Sequence, residues 1–227
     1  MSTVAPKTVA QEAANTKIPW AAGFPAPEIL HVQSDRLAMR KIPGPTMESK
    51  LRSPKALHHL SYEFGRLHAQ MQQCSGWGLP EQRQSMMDAL REAPDVSQAV
   101  KEKLLVSLLT EQSESAMCHG DYHPGNILLS PQGPIVIDWA DATKGHAVAD
   151  VARTLLLLQG AVQGNYGRPQ WMKPVVVYLI RRYKQGYRSL RPLDDGDIKT
   201  WMPLVAVARL REGIHEEEHY LRSWLSI

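Results

Sequence analysis

Residues 118–126 read CHGDYHPGN, and residues 135–142 read IVIDWADA. The first stretch sets two histidines, an aspartate and an asparagine around a Pro-Gly turn. Between the two stretches lie Ile127-Leu128-Leu129 and Pro134-Ile135-Val136-Ile137, short apolar runs joined by Ser-Pro-Gln-Gly. That pattern predicts a β-hairpin. In an antiparallel hairpin, the residue before the first strand and the residue after the second lie at the same end. Asn126 and Asp138 should therefore be neighbours, and the Pro124-Gly125 turn brings Asp121 beside them.

Three oxygen-bearing side chains thus converge, two of them carboxylates. Hard oxygen donors suit Mg²⁺, which keeps water and substrate phosphates in its shell, and do not suit a soft thiolate metal. With Asn126 and Asp138 on the metal, Asp121 is left to accept a proton from a hydroxyl. An aspartate, an asparagine and a later aspartate, in that order, is the arrangement used for phosphoryl transfer. The protein-kinase signature has the same order.

At these residues the chain resembles a known family. CHGDYHPGNILL followed by IVIDWADA is similar to the aminoglycoside phosphotransferases and choline kinases, small-molecule relatives of protein kinases. GHAVADVARTLLLL and MPLVAVARLREG resemble the family's following helices. Upstream, FPAPEIL resembles the strand leading to the hinge, LAMRKIPGPTM the hinge strand and its turn, and GRLHAQMQ the next helix. The resemblance spans roughly residues 9–225. It implies Asp121 as catalytic base, Asn126 and Asp138 as Mg²⁺ ligands, and ATP as phosphoryl donor. It also implies that Met39, Arg40, Lys41 and Ile42 offer backbone hydrogen bonds to an adenine. His119 and Asp150 would support the loop. Asp141, His123 and Trp139 are the substrate-side candidates, with Trp139 walling the metal site.

Family members carry a Gly-rich loop, a strand lysine and a helix glutamate ahead of the FPAPEIL-like strand. Glu12 stands where the glutamate would be. Eleven residues precede it, too few for the glycine loop and its strands, and Lys7 lies too close to Glu12 to imitate the lysine. The fold expected is α+β: a protein-kinase-like two-lobe fold with a reduced N-terminal lobe, residues 1–45 including the hinge, and a mostly helical C-terminal lobe, residues 46–227. The activity expected is ATP-dependent phosphoryl transfer to a hydroxyl of a small molecule, with aminoglycosides among the acceptors that the resemblance raises. The rival is a catalytically inactive binding or regulatory module without the phosphate clamp.

The rest of the chain reads mostly as helix. TVAQEAANT is helix-compatible and should end at Ile18-Pro19. GFPAPEILHV and RLAMRKI are strand candidates bounded by turn residues. Ser53 caps a helix whose apolar stripe is Leu57, Leu60, Phe64, Leu67 and Met71. Further helices are predicted over 81–91, 96–109, 147–158, 170–190, 195–211 and 216–224. Pro203 should kink its helix or mark the first turn. Pro43-Gly44-Pro45 reads as a rigid linker able to act as a hinge.

Composition limits the alternatives. The 26 basic and 23 acidic residues are interspersed, giving a formal net charge of +3 without the clustered basic stripe that nucleic acid needs. The apolar runs are too short to span a bilayer. The N-terminus has no apolar signal segment, and two cysteines, Cys74 and Cys118, make no disulfide framework. A cytoplasmic location is the simplest. Nothing in the sequence sets the oligomeric state.

Bland readings compete at several positions. His119-x-Asp121-x-His123 has the residue types of a transition-metal site, but no second His or Cys cluster lies nearby in sequence. Cys118 reads as a small buried residue rather than a nucleophile. His58, His59 and His68 read as core or surface histidines. Glu216-Glu217-Glu218 suit the first turn of the last helix better than a cationic substrate. Trp171, Trp201, Tyr178, Tyr183, Tyr220 and Trp224 fall on helix stripes and read as core.

Overall fold

The hairpin that the sequence predicts lies inside a second, outer strand pair. A computed structural model describes residues 8–167 and 169–225. Strands β1 (Ile29–Val32) and β2 (Leu37–Met39) follow helix α1 (Val9–Ala21). Helices α2 (Met47–Lys50), α3 (Pro54–Met71), α4 (Gln82–Glu92) and α5 (Gln98–Thr110) lead to β3 (Ala116–Cys118). Then come β4 (Ile127–Ser130), β5 (Gly133–Val136) and β6 (Thr143–Gly145), and helices α6 (Ala147–Gln163), α7 (Met172–Arg188), α8 (Asp195–Leu210) and α9 (Glu218–Ser223).

β4 and β5 pair antiparallel in the register Ile127↔Val136, and β3 pairs antiparallel with β6 in the register Cys118↔Thr143. The two loops that join the pairs, 119–126 and 137–142, therefore run side by side. The Ile137 N–H donates to the Asn126 carbonyl at 2.9 Å where they begin to diverge. This nested pairing is what brings the two polar motifs together.

Helix α3 starts at its serine: Ser53 Oγ accepts from the Ala56 N–H at 3.2 Å, and Pro54 occupies the first turn. Phe64, Leu67 and Met71 are buried, and Leu57 and Leu60 pack at the edge of the core. α3 lies against α7 with small residues at both contacts. A Cβ on Gly65 would overlap the Tyr183 carbonyl, and one on Gly186 would overlap that of Tyr62. The reciprocal glycines let two backbones approach more closely than side chains permit.

Four expectations need correcting. Helix α1 does not end at Pro19 but runs through it to Ala21. Proline removes one N–H donor near the end of the helix, and the last turn closes with Ala22 N–H on Ile18 O and Phe24 N–H on Pro19 O. Pro203 lies in the interior of α8 and so does not mark its first turn. Pro43-Gly44-Pro45 is strapped to the hairpin: the Leu129 N–H donates to Pro45 O at 2.9 Å, and Gly44 (φ 137°) leaves no room for a Cβ against the Leu129 carbonyl. Trp171, just ahead of α7, and Tyr178 on it are exposed, at 68% and 37%, whereas Trp201, Tyr183 and Tyr220 are core.

Candidate active site

Asp121 lies on the loop between β3 and β4, and Asn126 and His123 hold its carboxylate. The Asn126 Nδ2 donates to the Asp121 carbonyl at 3.0 Å and to its Oδ2 at 3.1 Å. His123 Nε2 lies 3.5 Å from the same carboxylate oxygen, while its Nδ1 accepts the Gly125 N–H at 3.1 Å. His123 thus caps the short 3₁₀ turn Pro124–Asn126 and faces Asp121 at once. Burial pushes the Asp121 carboxyl up. The hydrogen bond and charge of His123, with Arg153 and His119, pull it further down, to about 2.

The loop itself is held from beneath by Asp150, near the start of α6. One carboxylate oxygen accepts the His119 N–H and the other the Gly120 N–H, both at 2.8 Å. Asp150 is buried, which pushes its carboxyl up, but His68 and these two backbone donors more than offset that and lower it. Gly120 sits at φ 79°, and a Cβ there would come 2.5 Å from the Asp141 carbonyl. Only glycine meets both conditions without strain.

Both nitrogens of His119 are committed. Nε2 lies 3.0 Å from the Ile137 carbonyl and so carries the proton, and Nδ1 accepts the Asp121 N–H at 3.2 Å. Burial lowers its pKa, so the ring stays neutral and bridges the two loops. His119 and His123 therefore do not form a transition-metal site. No group of three or more His, Cys, Asp or Glu among the described residues is placed to hold an ion. Cys118 is buried and its thiol is pushed up by that burial, against a thiolate nucleophile.

Asp138 is exposed and adopts φ 64°, a left-handed conformation uncommon outside glycine. Such strain persists only where the surroundings over-determine it, and it concentrates at functional sites. Asp138 lines a cleft of about 410 Å³ with Glu12, Pro27, Met39, Arg40, Lys41, Ile42, Leu128 and Ile137. That volume is within the usual range of ligand pockets. The four residues named for the adenine thus share one cleft with Asp138. Burial and the charge of Asp138 raise the Glu12 pKa, and among the described residues no cation pairs with Glu12. Lys7 lies outside the described residues.

Trp139 corrects the sequence reading. It is fully buried, donates its indole N–H to the Val136 carbonyl at 2.9 Å, and packs edge-on to Phe24. It supports the loop from the core side and does not wall a substrate site. Asp141 is exposed on the 137–142 loop. In the last acidic run Glu217 is buried and paired with Arg209 at 2.6 Å, and Glu218 pairs with Arg222 at 2.8 Å, so neither is left for a cationic substrate.

Three supporting residues escape the sequence reading. His68, read there as an ordinary core or surface histidine, lies 2.9 Å from Asp150 Oδ2 and 2.6 Å from the Tyr183 hydroxyl. Arg153 donates from Nε to the Gly120 carbonyl at 3.1 Å. Its spacing of three from Asp150 on one helix is the signal that could have found it. Asn15 of α1 bonds to the 137–142 loop, more than a hundred residues away in sequence, and no local pattern marks it.

The model of the phosphotransferase enzyme family matches residues 2–193. The chain belongs to that family. Solved structures at low identity share its kinase-like fold. An amicoumacin kinase, in complex with AMP-PNP, Ca²⁺ and Ami, superposes with a TM-score of 0.63 at 16% identity, covering 96% of this chain and 75% of that one. Choline kinase LicA from Streptococcus pneumoniae gives 0.59 at 14% identity, covering 96% and 80%. Aminoglycoside phosphotransferase APH(3'')-Id from Streptomyces rimosus, with ADP and streptomycin, gives 0.52 at 19%, covering 89% and 83%. No curated protein matches the sequence. Among the described residues of this phosphotransferase-family chain, no helix is long and apolar enough to cross a membrane.

Proposed function

We propose that this chain transfers a phosphoryl group from ATP to a hydroxyl of a small molecule with the help of Mg²⁺. The observation that supports the reading is the Asp121–Asn126 pair, on a loop bonded to the start of the Asp138 loop by the Ile137 N–H on the Asn126 carbonyl. Asn126 spends its amide N–H groups on Asp121, so its Oδ1 remains as a donor atom. An amide oxygen and the exposed Asp138 carboxylate are hard oxygens of the kind that Mg²⁺ takes, one or two at a time. Bound there, Mg²⁺ would neutralise charge on the phosphate oxygens.

Asp121 would receive and orient the acceptor hydroxyl. With a pKa of about 2 it is ionised at neutral pH but is a weak base. It would position the hydroxyl in line and take the proton late, as the phosphoryl bond forms. His119 and Asp150 hold the loop so that this geometry needs no rearrangement at the moment of reaction. The Arg40 N–H is already given to the Glu28 carbonyl at 2.9 Å, so we assign recognition of the adenine edge to Lys41 and Ile42, with Met39 as an apolar wall. We divide the chain into a nucleotide-side segment, 1–45, and a helical catalytic segment, 46–227. Dependence on ATP is consistent with a cytoplasmic location. The acceptor class includes antibiotics of the kind named for the similar structures, aminoglycosides among them, with His123 and Asp141 as substrate-side residues.

A second reading has its own support. Glu12 and Asp138 line one cleft, and burial with the like charge of Asp138 raises the Glu12 pKa; two carboxylates facing one nucleotide cleft fit a binding module that does not clamp phosphates. A thermal-shift titration with MgATP separates the two. Ligand that binds only the folded state raises Tm by mass action. A shift in the native chain, retained in Asp121→Ala with loss of phosphoryl transfer, supports the enzyme. No shift at millimolar MgATP rejects it, and a shift without turnover on any hydroxyl acceptor supports the binding module.

A further inference from the structure

Asn15 is a buried polar residue with a rare set of partners. It is 1% exposed, on the same helix as Glu12 and three residues beyond it. Its Nδ2 faces three carbonyls of one loop: Trp139 at 3.1 Å, Ala140 at 3.3 Å and Ala142 at 3.5 Å. Its Oδ1 accepts from Gln11 Nε2 at 2.8 Å, which fixes the orientation of the amide. Two N–H groups are thus divided among the three carbonyls that follow the strained Asp138.

Buried carbonyls short of donors are costly; the Trp139 carbonyl also accepts the Ala142 N–H, and among the described residues no side chain other than Asn15 donates to these three. We infer that Asn15 is a positioning residue: it clamps the 138–142 loop onto α1 and thereby holds the Asp138 carboxylate in the orientation its ligand requires. This rests on the phosphotransferase reading for the identity of that ligand, but the clamp itself does not. The left-handed Asp138 turn needs a surrounding that over-determines it. The Asn15 contacts, with the Phe24 ring against Trp139 and the Val136 N–H on Pro25 O at 2.9 Å, supply it from the N-terminal segment. Side chains that orient a metal-bearing group commonly affect metal affinity by about 10–100-fold. Glu12 rides on the same helix, so the clamp also fixes the spacing of the two carboxylates across the cleft.

The test compares the native chain with Asn15→Leu, Asn15→Asp and Gln11→Ala. Leucine removes the donor at similar volume, aspartate replaces it with a repelling acceptor, and the Gln11 change frees the amide without deleting it. Two readouts are taken: hydrogen exchange of the segment 136–146 in the ligand-free protein, and Mn²⁺ affinity at saturating ATP by electron paramagnetic resonance. Both Asn15 variants should speed exchange at Ala142, whose N–H is bonded to the Trp139 carbonyl at 3.1 Å, with α3 and α7 unchanged. Mn²⁺ affinity should fall by about ten-fold or more, and Gln11→Ala should show both effects more weakly. Exchange that rises equally across the chain, or not at all in the loop, overturns the proposal. Should the Asn15 variants fail to fold, Gln11→Ala decides by the same criteria. If the native chain binds no Mn²⁺ with ATP, the phosphotransferase reading fails, and loop exchange alone decides the clamp.

Discussion

His68 Nε2 lies 2.9 Å from Asp150 Oδ2, with both side chains buried. Asp150 in turn holds the His119 and Gly120 N–H groups. The histidine on α3 therefore reaches the candidate catalytic loop through one carboxylate. Removing that carboxylate leaves two backbone donors and a ring N–H without acceptors. Breaking a buried network from one side costs about 3–5 kcal/mol. Asp150→Ala should lower the unfolding free energy measured in urea by about that amount and abolish phosphoryl transfer. Unchanged stability would mean that the loop holds itself.

Arg153 joins the same loop to the C-terminal helices. Its Nε donates to the Gly120 carbonyl, its Nη2 pairs with Glu212 at 2.5 Å, and Glu212 is shared with Arg209. A lysine keeps the charge but not the planar fork that reaches two acceptors. Arg153→Lys should lower kcat with little change in KM. Arg153→Ala should in addition raise the Asp121 pKa, moving the acidic limb of the kcat profile upward. An equal loss in both variants, with no shift in the limb, would reduce Arg153 to a scaffold role.

The α3–α7 contact offers a test that bypasses the active site. A methyl group at Gly65 has to displace the Tyr183 carbonyl or bend α7. Overpacking costs about 1–3 kcal/mol where neighbours give way, and backbone gives way poorly. Gly65→Ala and Gly186→Ala should each destabilise by at least that much in urea. A neutral result at either would show that the helices separate freely.

Most helices and the central hairpin were legible because their signals are local: apolar periodicity, Ser53 as a cap, Ser-Pro-Gln-Gly as a turn. The outer pair β3–β6 was not. Thr143-Lys144-Gly145 carries no β pattern, and in the register Cys118↔Thr143 its partner lies 25 residues earlier (143 − 118). The acidic and amide residues of the site were legible as a motif, since Asp121, Asn126 and Asp138 are close in sequence. Trp139 was misplaced because adjacency in sequence does not set direction: at the left-handed Asp138 the chain turns, leaving Asp138 exposed and Trp139 buried. Asn15 and His68 act over long sequence distances, so their partners exist only once the chain has folded.

Gly120 links the backbone to catalysis. At φ 79° and 2.5 Å from the Asp141 carbonyl, a new Cβ meets both conformational strain and a clash. A left-handed residue with a side chain costs about 1–2 kcal/mol. Gly120→Ala should shift the loop and so reduce kcat by about ten-fold or more, the size expected if about 1.4 kcal/mol of transition-state positioning is lost, while the folding strain lowers Tm by only a few degrees. Full activity would show that the loop conformation is not the working one.

Acid should unfold the protein in two stages, and the signs are fixed by the direction of each shift. His119 is buried and neutral, with its pKa lowered. It contributes stability above the unfolded value of about 6.5, and that contribution is lost as pH falls through the lowered folded value. Asp121 and Asp150 are also lowered, Asp121 to about 2. Both contributions are complete above about pH 4; that of Asp121 is lost between there and about pH 2, and that of Asp150 is lost as pH falls through its lowered folded value. Urea midpoints should thus decline from about pH 6.5 downward and fall more steeply below about pH 4. His119→Gln, which can still bridge by its amide, should flatten the upper stage and leave the lower one. A midpoint independent of pH between 7 and 4.5 in the native chain would mean that His119 titrates as freely in the folded state as in the unfolded.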